Sequence, residues 1–338
     1  MKALARVAAS LAAAAIAAGA AAQKTELLVY TALETDQLKA YTESFQKTNP
    51  NIDLKFVRDS TGVITAKLLA EKANPQADFV LGVSASSLEI FKKEGMFAPY
   101  TPAGFDKLNP AFSDASRPPY WVGQDVYAAV VCYNTVEGQK KGIPKPESWH
   151  DLTKPVYKGQ ITMPNPASSG TGFLDVSSWL QLWGEQGGWK YMDALHDNIA
   201  QYTHSGSKPC RQAGAGEFVV GISFDFRGND VKQKGAPVDL VFPKEGLGYD
   251  IEASGIMKTT TKMDAAKKLM DWVASKEANE AYAKNFAIVA HPDVKPALPF
   301  LPQDLDKKLI KNDFAFAAGN RDRILAEWQK RYANKSEK

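Results

Sequence analysis

"ELLVYTALETDQLKAYTESF", residues 26–45, joins a short apolar run to a stripe at helical spacing. "ELLVYT" (26–31) is β-branched and aromatic and reads as a buried strand. Asp36 then precedes a helix that carries Leu38, Tyr41 and Phe45 on one face. The unit recurs twice. "IDLKFV" (52–57) is a strand followed by a helix over Val63–Lys72, and "ADFVLGV" (77–83) a strand followed by a helix over Ser87–Lys93. Three strand–helix units with loops of a few residues predict a parallel α/β sheet. Sheets of this kind bind ligands beyond the carboxyl ends of their strands.

The loops at those ends share a chemistry. "TALE" (31–34), "DSTG" (59–62) and "SASS" (84–87) all carry hydroxyls and open helices, so their free N–H groups are expected to converge on one crevice. Each is also an ordinary N-cap sequence. A second α/β region spans about Tyr127 to Asp250. It holds "QITMPNP" (160–166), "NIAQYTHSGS" (198–207) and "EFVVGISFDF" (217–226). Two strand-like segments, "DVYAAVVCYN" (125–134) and "GYDIEASGIM" (248–257), lie between the regions as crossovers. Helices follow at 263–274, 276–286 and near 321–332. The expectation is a discontinuous first lobe (23–125 and 255–338), a second lobe (126–254) and a cleft between them.

Residues 1–22 carry Lys2 and Arg6, an Ala-rich apolar stretch and the small-residue pattern Ala20-Ala21-Ala22, which is the layout of a cleavable export signal. No later run is long and apolar enough to span a bilayer. Without Lys2 and Arg6 the formal charge drops from +3 to +1, which leaves no electrostatic footprint for nucleic acid. About 316 residues then remain, more than one ordinary core. The two cysteines, Cys132 and Cys210, permit one disulfide in an oxidising compartment.

"NPASSGTGF" (165–173) packs Ser168, Ser169, Gly170 and Thr171 ahead of a helix whose stripe is Phe173, Val176, Leu180 and Trp183. One cap needs one hydroxyl, so the surplus suits an anion cradle. No Gly-Lys-Ser/Thr ending follows, so this is no P-loop. Ser60, Thr61, Ser84 and Ser86 add donors from the first region, and Ser205 and Ser207 from the second. Glu34 and Asp225 are the candidate acids for a cationic group; Trp121 and Tyr127 are either cleft or core aromatics. The four histidines (His150, His196, His204, His291) have no metal-ligand spacing, and neither G-x-S-x-G nor H-E-x-x-H occurs. No catalytic residue, metal or cofactor is therefore expected.

An exported chain with two lobes and two crossovers resembles the solute-binding proteins of ABC importers. The strings "ESWHDLTKPVYKGQITMPNPASSGTG" (147–172) and "FPKEGLGYDIEASGIM" (242–257) are similar to the branch that includes ferric-iron-binding proteins. Iron binders of that branch carry two adjacent tyrosines after the strand that here reads "VVGISFDF" (219–226), where this chain has Phe224, Asp225 and Phe226. "VYTALETDQ" (29–37), "SGSKPC" (205–210) and "ISFDFRG" (222–228) resemble the 2-aminoethylphosphonate subgroup. The resemblance implies a type II-like two-lobe fold, with the crossovers as hinge and the ligand in the interlobe cleft. It implies a periplasmic monomer that delivers 2-aminoethylphosphonate to the permease and ATPase subunits of an importer. Iron with a synergistic anion, polyamine and phosphate stand as alternatives within the class, and a secreted hydrolase of phosphorylated or phosphonate substrates as one outside it.

Overall fold

The computed structural model describes residues 24–337, so the expected signal peptide lies outside the described residues. The chain opens β1 (Thr25–Thr31), α1 (Thr35–Thr48), β2 (Ile52–Arg58), α2 (Thr61–Ala70), β3 (Phe79–Ser84) and α3 (Ala85–Lys93). β1 pairs in parallel with β2 and with β3, because each helical crossover returns the chain in the same direction. Leu27, Val29, Phe79 and Val83 are wholly buried, as strands covered on both faces must be.

After β4 (Phe97–Ala98) comes β5 (Val122–Asn134), every residue of which is buried. The second region follows: α4 (Thr135–Lys141), β6 (Ile161–Pro164), α5 (Gly170–Asn198), β7 (Ile199–Thr203), α6 (Lys208–Gly214), β8 (Val220–Phe224), α7 (Asp225–Gln233) and β9 (Val238–Val241). β10 (Tyr249–Met257), α8 (Met263–Ala274), α9 (Lys276–Tyr282), β11 (Ile288–Val289), α10 (Leu305–Lys308) and α11 (Phe314–Tyr332) complete the chain. α5 is broken at Gly184, whose φ of 73° leaves the helical region and suits a residue without Cβ.

The strands run in the order β2-β1-β3-β10-β5-β8-β6-β7. β5 is the member common to both halves. Its Val122–Ala128 stretch pairs antiparallel with β10, and Ala129–Asn134 with β8 and β9. The result is the two-lobe α/β architecture, with β5 and β10 as the two crossovers. Cys132 on β5 and Cys210 on α6 form a disulfide, their Cα atoms 5.4 Å apart, inside a satellite core with Val130, Ala213, Val231 and Val238.

The C-terminal segment departs from the expected grouping. α11 begins at Phe314 rather than near 321, because the Asp313 carboxylate accepts from Phe316 N–H at 2.9 Å and caps about two extra turns. Residues 314–337 also do not sit on the first lobe alone. α11 packs on α3, but Trp328 meets Tyr202 of β7 edge-on with ring centres 4.8 Å apart, and Glu337 N–H donates to the Tyr202 carbonyl at 2.8 Å. Arg323 and Arg331 reach Glu185 and Asp193 of α5. The sequence pattern shows an amphipathic helix but not which lobe its apolar stripe will meet.

Candidate functional site

Between the lobes lies a cavity of about 50 Å³, lined from the first region by Ala32, Glu34, Arg58, Ser60, Thr61 and Gly82. Ser169, Gly170, Thr171, Gly206 and Phe224 line it from the second, and Tyr127 and Glu252 from the crossover strands. Two helices begin at this cavity and face one another. Thr61 is the first residue of α2 and Gly170 the first of α5. The approach is so close that a Cβ on Gly170 would stand 2.8 Å from Thr61 Oγ1 and 2.7 Å from Ser84 Oγ. Gly62 N–H donates to the Ser168 carbonyl at 2.8 Å across the gap, and a Cβ there would collide with the Ala167 carbonyl oxygen. Each helix start carries roughly half a positive charge, so the two repel until something negative lies between them.

Of the hydroxyls here, that of Ser60 is spared for that task. Ser60 is the N-cap of α2 yet makes no capping bond with its side chain, and Ser84 makes none at the start of α3. Ser169 does cap α5, accepting from Gly172 N–H. Ser84 Oγ instead bonds the Tyr127 hydroxyl and reaches Thr61 Oγ1 at 3.4 Å, behind the wall. Arg58 flanks the cavity, its Nε donating to the Leu33 carbonyl at 3.0 Å.

The expected convergence of three loops becomes a convergence of two. Ser86 Oγ donates to Asp250 Oδ2 at 2.6 Å, so the start of α3 is occupied by an internal carboxylate, and no residue of α3 lines the cavity. Burial pushes the Asp250 carboxyl up to about 6, against the lowering effect of those Ser86 bonds. Among the other expected residues, Glu34, Ser60, Thr61, Ser169, Gly170 and Thr171 share the cavity. Ser168 turns outward to the His204 carbonyl at 2.8 Å, and Ser205 and Ser207 face each other beside Gly206. Asp225 lies behind the wall, where its Oδ1 accepts from Ala128 and Phe226 N–H groups; burial raises its carboxyl to about 7.

Glu34 is held differently from the expected ammonium contact. Its Oε2 lies 3.5 Å from Arg58, 3.6 Å from Arg211 and 3.4 Å from Arg227. The last two come from the other lobe, so Glu34 joins the lobes across the cleft. His204 Nε2 makes a second such link to Asp59 Oδ1 at 2.9 Å. A carboxylate ringed by three guanidiniums is a poor acceptor for a further cation.

Sequence reasoning missed Arg58, Arg211, Arg227 and Glu252. Arg58 ends β2 directly before the "DSTG" loop, a position that gives warning. Glu252 lies inside an apolar crossover, and only its charge there signals a purpose. Among the described residues no cluster of metal-ligating side chains occurs.

The chain belongs to the bacterial extracellular solute-binding proteins, the SBP_bac_6 family, whose model matches residues 74–307. A Sinorhizobium fredii relative, "Probable ABC transporter periplasmic-binding protein y4fP", is 28% identical over 75% of this chain and 69% of its own. The solved periplasmic binding protein AfuA of Actinobacillus pleuropneumoniae, with exogenous fructose-6-phosphate bound, superposes with a TM-score of 0.85. It is 31% identical over 92% of this chain and 99% of AfuA. A Salmonella typhimurium relative named "Putative 2-aminoethylphosphonate-binding periplasmic protein" is 22% identical over 77% of this chain and 75% of its own. The protein is thus a solute-binding component of an ABC transporter.

Proposed function

We propose that the cleft captures a small organic phosphate or phosphonate in the periplasm and delivers it, unchanged, to the permease and ATPase subunits of an importer. The observation that carries this reading is the pair of opposed helix starts. α2 and α5, one from each lobe, bring their first turns and the residues Ser60, Thr61, Ser169 and Thr171 to one cavity, with Arg58 beside it. Neutral donors at helix starts bind a phosphoryl group without a buried counter-charge for each oxygen. The anion also relieves the repulsion between the two helix dipoles, so ligand binding and lobe closure reinforce each other. In this reading residues 126–254 move as one lobe about β5 and β10.

Two ligands fit, and a different observation favours each. The cavity of about 50 Å³ has room for roughly three or four waters, about the size of a phosphonate group alone, so it favours the smaller ligand, 2-aminoethylphosphonate, for which the lobes must part least. The likeness to AfuA favours a sugar phosphate such as fructose 6-phosphate, for which the lobes must part further. Calorimetry with 2-aminoethylphosphonate, fructose 6-phosphate, inorganic phosphate, putrescine and ferric citrate tests the reading. Tight binding of a phosphoryl compound without turnover is the expected result. An iron-loaded preparation, preference for putrescine, or hydrolysis of either organophosphorus compound would overturn it.

A further inference from the structure

The wall of the cavity formed by the crossover strands is acidic. Glu252 of β10 lines the cavity, and its Oε2 is buried without a hydrogen-bond partner. Directly across the ladder stands Asp125 of β5, fully buried, with neither carboxyl oxygen partnered. Cross-strand neighbours in such a pair have Cβ atoms about 5 Å apart. Asp225, at the start of α7, adds a third carboxyl whose Oδ2 is also unpartnered. The guanidiniums of Arg58, Arg211 and Arg227 lie against Glu34 instead.

The titratable groups that face this wall are phenols and further acids, beside Ser84 of β3 opposite Glu252 and Val289 of β11 opposite Asp125. Tyr41 of α1 and Tyr282 of α9 approach Asp125 and Glu252, Tyr127 of β5 lies alongside, and Glu34 lies beyond Glu252. Burial first holds both carboxyls far above the ordinary carboxylate range; the charges of Glu252 and Asp225 add to this at Asp125, and those of Glu34 and Asp225 at Glu252, where the contact with Asp125 works the other way. Buried carboxyl oxygens without partners are costly, and Glu252, which brings one to the cavity with Asp125 directly behind it, requires a purpose that packing does not supply.

We propose that Glu252, backed by Asp125, is the specificity-determining residue of the site, accepting hydrogen bonds from a donor group on the part of the ligand that is not its phosphoryl group. This rests on the phosphoryl reading above. The shared chemistry is an N–H or O–H donor on that part, whether the ammonium of an aminoalkylphosphonate or the hydroxyl of a sugar phosphate. An ammonium compensates the acidic wall electrically and expels a proton from the carboxyl pair into solvent. A hydroxyl leaves that proton in place.

The test is calorimetry with four probes: 2-aminoethylphosphonate, fructose 6-phosphate, ethylphosphonate and inorganic phosphate. For the wild type, at least one of the two donor-bearing probes should bind tenfold or more tighter than ethylphosphonate. In Glu252→Met that ratio should fall toward one, while ethylphosphonate affinity stays within a few-fold. In Glu252→Gln the ratio should survive for a sugar hydroxyl and collapse for an ammonium. Repeating the wild-type titration in buffers of different ionisation enthalpy reads the proton, released with an ammonium and retained with a hydroxyl; this needs no variant to fold. If no probe binds, the phosphoryl reading itself is wrong and the inference falls with it. If phosphoryl compounds bind but ethylphosphonate matches both donor-bearing probes, or the ratio is unchanged in a folded Glu252→Met, the inference alone is overturned.

Discussion

Helices α2 and α3 start in successive strand–helix units from equally hydroxyl-rich loops, yet they do opposite things. α2 leaves Ser60 and Thr61 open to the interlobe cavity, facing the start of α5. α3 closes its own start with Asp250, a carboxylate brought in by the crossover strand β10. A helix start with an internal carboxylate is satisfied and structural. One that faces another helix start has no carboxylate of its own and, in the proposed function, receives the anion of the ligand. The loop sequences do not distinguish the two; the residue that arrives opposite each of them does.

The sharpest way to break this contrast is to prevent α2 and α5 from meeting. Gly62→Ala places a methyl group 2.1 Å from the Ala167 carbonyl oxygen, which the closed arrangement cannot accommodate. The separated lobes feel no such contact. Ligand affinity should fall about 100-fold or more, because the competent closed state is depopulated, while the thermal midpoint without ligand stays near that of the wild type. Unchanged affinity would mean that the two helix starts need not approach for binding. Next in size is the loss of single donors. Ser60→Ala and Thr61→Val each remove one hydrogen bond to an anion, worth about 1.5–3 kcal/mol, so calorimetry should show affinity reduced about tenfold to a hundredfold by either change.

How much of this was legible beforehand follows from what each signal measures. The alternation of strand and helix patterns located β1 to β3, the crossovers β5 and β10, and the pairing of two lobes, because burial periodicity is a local property. Ser60, Thr61, Ser169, Gly170 and Thr171 were legible as helix-start chemistry. The roles of Ser86 and Glu34 were not, since each depends on a partner far away in sequence: Asp250 is 164 residues from Ser86, and Arg211 and Arg227 come from the opposite lobe. Glu252 was hidden for the reverse reason. It lies in an apolar crossover where pattern reading sees only a strand, and its partner Asp125 is set by the register of β10 against β5. The attachment of α11 to β7 as well as α3 likewise depends on tertiary packing that amphipathicity alone does not specify.

The smaller effects lie at α3, and they separate folding from binding. Asp250 in the folded chain titrates near 6, raised by burial above its ordinary carboxylate value. A raised acid favours the folded state when protonated, so its contribution is present below about pH 4 and lost as pH rises through about 6. Asp250→Asn keeps an acceptor for Ser86 and cannot ionise. Urea midpoints of variant and wild type should therefore shift in the variant's favour between pH 4.5 and pH 8; a difference independent of pH would mean that Asp250 is not the titrating group. Ser86→Ala is the complementary change. It takes the 2.6 Å donor from a buried carboxylate and should cost about 1–3 kcal/mol of stability. Ligand affinity should remain within about twofold, since a hydroxyl that is bonded to Asp250 and does not line the cavity has no bond to the ligand to lose. If Ser86→Ala weakened binding as much as Ser60→Ala does, α3 would be contributing its start to the ligand, and the distinction between a helix start closed by carboxylate and one left open would not describe this cleft.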